Sequence, residues 1–75
     1  MDKAEAVRKL LDLKDVVETM PFTKGKSRLV RTITSFIDRL SIYKGGGDIG
    51  AHFVKECESE FEKIFGGPVH GARAN

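Results

Sequence analysis

The sequence predicts an all-α protein, a small three-helix bundle with a flexible C-terminal tail. Three observations point there. Apolar residues recur at alternating spacings of four and three in three separate stretches, each stretch opens on a polar residue and closes on a helix breaker, and 75 residues suffice for one small core. One domain over residues 1–66 is expected, with helices at about 3–19, 28–44 and 49–65 and a tail over 67–75.

In the first stretch Ala6, Leu10, Leu13, Val17 and Met20 mark one helical face, with Val7, Leu11 and Val16 beside them. Asp2 stands where an N-cap would, with Glu5 three residues on as in a capping box. Pro21 disfavours a helical conformation at Met20. In the second stretch Leu29, Ile33, Phe36, Leu40 and Tyr43 repeat the pattern, widened by Val30 and Ile37, with Ser27 as the expected cap and Lys44-Gly45 as the expected stop. A strand through Val30-Arg31-Thr32-Ile33-Thr34 competes, since β-branched residues favour strands, but it would abandon the continuous pattern from Leu29 to Tyr43. In the third, Asp48 precedes Phe53, Val54, Cys57, Phe61, Ile64 and Phe65, and Gly66-Gly67-Pro68 ends the helix. Beyond Pro68 nothing is periodic.

The widths of these stripes differ. At 100° per residue the third spans about 120° and the second about 140°, but the first spans about 220° from Val16 round to Leu11. Either the first helix is deeply seated between the other two, or its flanks face another molecule. Phe22 and Ile42 are two further apolar residues that a bundle core does not claim. Leu11, Val16, Phe22 and Ile42 are therefore the expected protein interface, provided they form one patch.

Charge is segregated along the chain. Residues 1–20 carry a net −1, residues 21–45 a net +5 and residues 46–65 a net −3, and Arg73 brings the total to +2. The plain explanation is that the second and third helices lie side by side and their opposite charges favour that pairing. Two details ask for more. Glu56 with Glu60 and Glu58 with Glu62 are like charges four apart, mildly destabilising unless a cation is near. Lys24, Lys26, Arg28 and Arg31 crowd the start of a helix, where the dipole is already positive. With Arg39 they form the expected anion or nucleic-acid contact, since Arg28, Arg31, Ser35 and Arg39 share one side of the helix. No aromatic is interleaved with them for base stacking.

Several features resemble chemistry without its context. Gly25-Lys26-Ser27 matches the end of a phosphate-binding loop but has Met20 where the motif needs glycine, and a helix where it needs a strand. His52 and Glu56 could present two ligands on one face, too few for a zinc site. Cys57 lies inside an apolar stripe, as a small hydrophobe does, and a single cysteine forms no disulfide within the chain. No catalytic group, metal or cofactor is expected, and neither is a membrane span. The reading is of a protein in a reducing, cytoplasmic compartment. It docks a protein partner and pairs with itself as a dimer through the first helix. The alternative is an accessory protein that binds nucleic acid through the basic start of the second helix.

Overall fold

A computed structural model describes residues 1–45 and 48–68. The architecture is a three-helix bundle, α1 (Lys3–Thr19), α2 (Lys24–Ile42) and α3 (Ile49–Phe65), and the described residues include no strand. Among them no helix is long and apolar enough to cross a membrane. The expected tail lies, from residue 69 on, outside the described residues, as do Gly46 and Gly47 of the connection before α3.

α1 begins where the sequence places it, because the Asp2 carboxylate accepts the Glu5 N–H at 2.8 Å. It ends before Pro21 with Met20 extended at φ −80°, ψ 158°. α2 departs from expectation at both ends. It starts at Lys24 rather than near 28, because Thr23, extended at φ −148°, accepts the Lys26 N–H on its hydroxyl at 3.0 Å. Ser27, the expected cap, is already inside the helix and donates its own N–H to the Thr23 carbonyl at 3.3 Å. At the other end α2 stops at Ile42, two residues early. Tyr43 turns extended and donates its N–H to the Leu40 carbonyl, and Gly45 does not supply a left-handed residue. α3 runs from the Asp48 cap, which accepts the Ala51 N–H at 3.2 Å, to Gly66 in the left-handed region at φ 76°.

The helices run up, down and up. Phe36 stacks face to face on Phe53 with ring centroids 4.1 Å apart, and Gly25 at the start of α2 meets Ile64 near the end of α3, so these two are antiparallel. Ala6 faces Gly50 so closely that a Cβ on Gly50 would lie 2.6 Å from the Ala6 Cβ. That crossing of small residues brings α1 and α3 together at their N-terminal ends. Ala6, Leu10, Leu13, Val17, Leu29, Ile33, Phe36, Leu40, Phe53, Val54, Cys57 and Phe61 form one continuous core.

Every helix packs on both others, so α1 is no more central than its neighbours. Its wide apolar arc is explained differently on its two flanks. Val16 is half-buried against the core, as are Val7 and Met20, whereas Leu11 remains 48% exposed. The bundle thus covers Val16 in part, and Leu11 is the flank left most open.

Candidate functional site

The four residues expected to form one interface are not brought together. Phe22 (80% exposed) lies in the α1–α2 connection and Ile42 (77% exposed) at the far end of α2. Eighteen helical steps separate Lys24 from Ile42, about 27 Å at 1.5 Å each, which approaches the 36 Å length of the molecule. Leu11 and Val16 sit about 140° apart around α1.

Ile42 instead belongs to a groove that the sequence does not announce. Its apolar wall is Ile42, Tyr43, Ile49 and Phe53, and its rim carries Arg39, Lys44 and His52. The early end of α2 makes this groove. A helix continued to Lys44 would carry Tyr43 on round the axis, whereas the extended Tyr43 lays its ring over Gly45, where a Cβ would stand 2.6 Å from the phenol oxygen. The signal in the sequence was the pair of isoleucines, Ile42 and Ile49, on either side of the Gly45-Gly46-Gly47 run. Ile42 lies off the main stripe of α2, and Ile49 stands one turn before Phe53 and packs partly on the core.

The basic residues divide into two groups. Lys26 leaves the set of free cations, because its ammonium donates to the Met20 carbonyl at 2.7 Å and to the Glu18 carbonyl at 3.0 Å. It closes the C-terminal end of α1, where a positive charge suits the dipole and the last carbonyls need donors. Gly25-Lys26-Ser27 is thus the first turn of α2, with Gly25 admitting Ile64.

Arg28, Arg31 and Arg39 do share one shallow groove with Thr32 and Ser35 on the outer face of α2. Among the described residues none of the three has a carboxylate within 4.0 Å. Arg39 is held by its guanidinium lying 5.9 Å from the centroid of the Phe36 ring, and Phe36 is itself stacked on Phe53. Arg39 therefore stands between the arginine groove and the apolar groove and serves the rim of both. Lys24 is exposed in the first turn of α2 and is not part of the arginine groove.

The acidic repeat of α3 is relieved where the cations lie. His52 Nε2 stands 3.6 Å from Glu56, Lys63 pairs with Glu60 at 3.5 Å, and Arg28 lines the same α2–α3 groove as both glutamates. Both ion contacts lie within α3, and among the described residues α2 and α3 share no ion pair, only a groove that Arg28 lines with Glu56 and Glu60. Among the described residues no group of three or more His, Cys, Asp or Glu could hold a metal ion. Burial, with the charges of Glu56, Glu58 and Glu60 adding to it, pushes the Cys57 thiol up to about 12, so at neutral pH it packs as a protonated hydrophobe. Asp48 is tied on both oxygens, to the Ala51 N–H and to the chain's ammonium at 3.0 Å, and that ammonium holds its carboxyl below the usual range.

Fold and surface together define a small all-α bundle bearing an apolar groove at one end and an arginine groove along one helix. No protein family, no curated protein and no solved structure matches the chain.

Proposed function

We propose that this chain is a non-catalytic protein-interaction module whose docking surface is the groove at the α2–α3 end. The observation that supports it is Ile42, a large aliphatic side chain left 77% exposed at the mouth of a groove walled by Tyr43, Ile49 and Phe53. An apolar surface with a polar rim is the usual anatomy of a protein contact. The test is a photo-crosslinking residue placed at Lys44 and, for comparison, at Lys55 on the outer face of α3. A discrete product at 44, lost when Ile42→Ser is added, supports the reading; equal labelling from both positions overturns it.

Self-association through α1 belongs to the same proposal, now resting on Leu11 with half-buried Val7 one turn before it. Sedimentation equilibrium should show a mass above the monomer that Leu11→Asp reduces with helix content intact. A reducing, cytoplasmic location accords with the lone thiol.

A second reading, nucleic-acid binding, is favoured by one observation, the shared groove of Arg28, Arg31 and Arg39. Three neutralised phosphates would give the affinity a salt slope of about −2 to −3 on logarithmic axes. Fluorescence anisotropy with short DNA and RNA should show it, and replacing the three arginines by Gln should abolish it; no binding at low salt ends this reading.

A further inference from the structure

We infer that the groove at the α2–α3 end takes an acidic, amphipathic peptide segment, with a bulky apolar side chain set against Ile42 and Phe53 and carboxylates on either side. The inference rests on the interaction-module reading and supplies the chemistry of its partner. The groove's own makeup carries it. Ile42, Tyr43, Ile49 and Phe53 offer an apolar wall, and the charged side chains that line it, Arg39 and Lys44, are both positive, with His52 beside them. Neither Arg39 nor Lys44 has a carboxylate within 4.0 Å among the described residues. Of the acids nearest in the chain, Asp38 beside Arg39 is exposed but does not line the groove, and two others are engaged elsewhere. Glu56 faces His52 Nε2, and Asp48 receives the Ala51 N–H and the ammonium.

The alternatives fit less of this surface. A nucleic-acid backbone would satisfy the rim but leave Ile42 in water. A second copy would need a well-exposed apolar residue set among unpaired acids, and its candidates fit poorly: Met1, 41% exposed beside Asp2, also carries the ammonium that pairs with Asp48. Leu11 has Arg8 and Lys14 beside it as well as Asp12 and Asp15, and Phe22 is followed by Lys24. The residues after Pro68 offer Val69, but their one ionic side chain is that of Arg73. An acidic partner answers wall and rim at once, through apolar burial at the centre and charge complementarity around it.

The probe is a fluorescein-labelled 12-residue peptide with Leu at every third or fourth position and Glu elsewhere, compared with the same peptide carrying Lys for Glu. Titrated into the full chain, the acidic peptide should bind at least tenfold more tightly than the basic one, and more weakly as salt rises. Its amide shift changes should cluster at residues 39–44 and 49–53. Ile42→Ser, and separately Arg39→Gln with Lys44→Gln, should each weaken binding at least tenfold, with circular dichroism confirming that each variant is folded. Equal affinity for the two peptides, binding indifferent to Ile42→Ser, or no shift in the groove overturns the inference. If the crosslink at position 44 persists in that case, the acidic chemistry has failed and the module reading stands; if it too is absent, both fail.

Discussion

The two connections of this bundle are both short, and both leave one large apolar residue in water, Phe22 in one and Ile42 beside the other. Both also cap the helix that follows with a side chain, Thr23 in one and Asp48 in the other, and they differ in whether a cation closes the carbonyls of the helix before. At the α1–α2 connection side chains do the closing: the Thr23 hydroxyl caps α2, and the Lys26 ammonium reaches back to the Glu18 and Met20 carbonyls of α1. At the α2–α3 connection the cations Arg39 and Lys44 stay at the rim of a groove, and the tyrosine lies along the chain over Gly45. A cation is structural where unsatisfied carbonyls lie within its reach and available to a partner where they do not. Lys26 and Arg28, two residues apart, fall on opposite sides of that division.

The largest effect should come from the core that both connections share. Phe61→Ala, at a site 1% exposed and with its ring tilted against that of Phe65, should cost about 3–5 kcal/mol in urea denaturation, a large share of what a domain this size has. That result would show that both ends depend on one cooperative unit.

Gly50→Ala tests the end that holds the groove. The new Cβ collides with Ala6, and an overpacking cost of about 1–3 kcal/mol outweighs the better helix propensity of Ala, worth at most about 1 kcal/mol. A stabilised variant would show that α1 and α3 can separate there without loss.

Lys26→Met tests the other end. Losing both charge-assisted bonds while keeping an apolar stem should destabilise by about 1–2 kcal/mol, less than the bonds' gross worth because the freed carbonyls can take water. Cys57 can report this locally. Its thiol is held above its usual value of 9.0, so the folded chain keeps a proton that the unfolded chain loses, and stability falls as pH rises from 9.0 toward about 12. Below that window thiol-specific labelling requires opening, and Lys26→Met should accelerate it.

Ile42→Ser should have the smallest effect on stability, within about 0.5 kcal/mol, and no effect on Cys57 labelling, because the side chain is exposed. A loss comparable to that of Lys26→Met would make Ile42 part of the core.

The bundle was legible because its cause is local. The four-three spacing of Leu29, Ile33, Phe36 and Leu40 describes a face whatever it packs on, and Asp2, Pro21, Asp48 and Gly66 act on their own backbone neighbours. The start of α2 is not legible for a similar reason: Thr23 and Ser27 are both good caps, and the spacing of apolar residues does not choose between them. The crossing of Ala6 with Gly50 could not be read, because a small residue signals close approach only when its neighbour across the interface is known.

By itself, then, the sequence determined three amphipathic helices, their order and the segregation of charge, since periodicity, caps and composition are properties of neighbours in the chain. The tertiary structure decided which cations remain available, which apolar residues the bundle covers and where a groove opens. Those outcomes depend on distances between residues far apart in sequence. Lys26 meets the end of α1, Val16 meets the core, and Ile42 comes to line one groove with Ile49 and Phe53 only once the helices have packed.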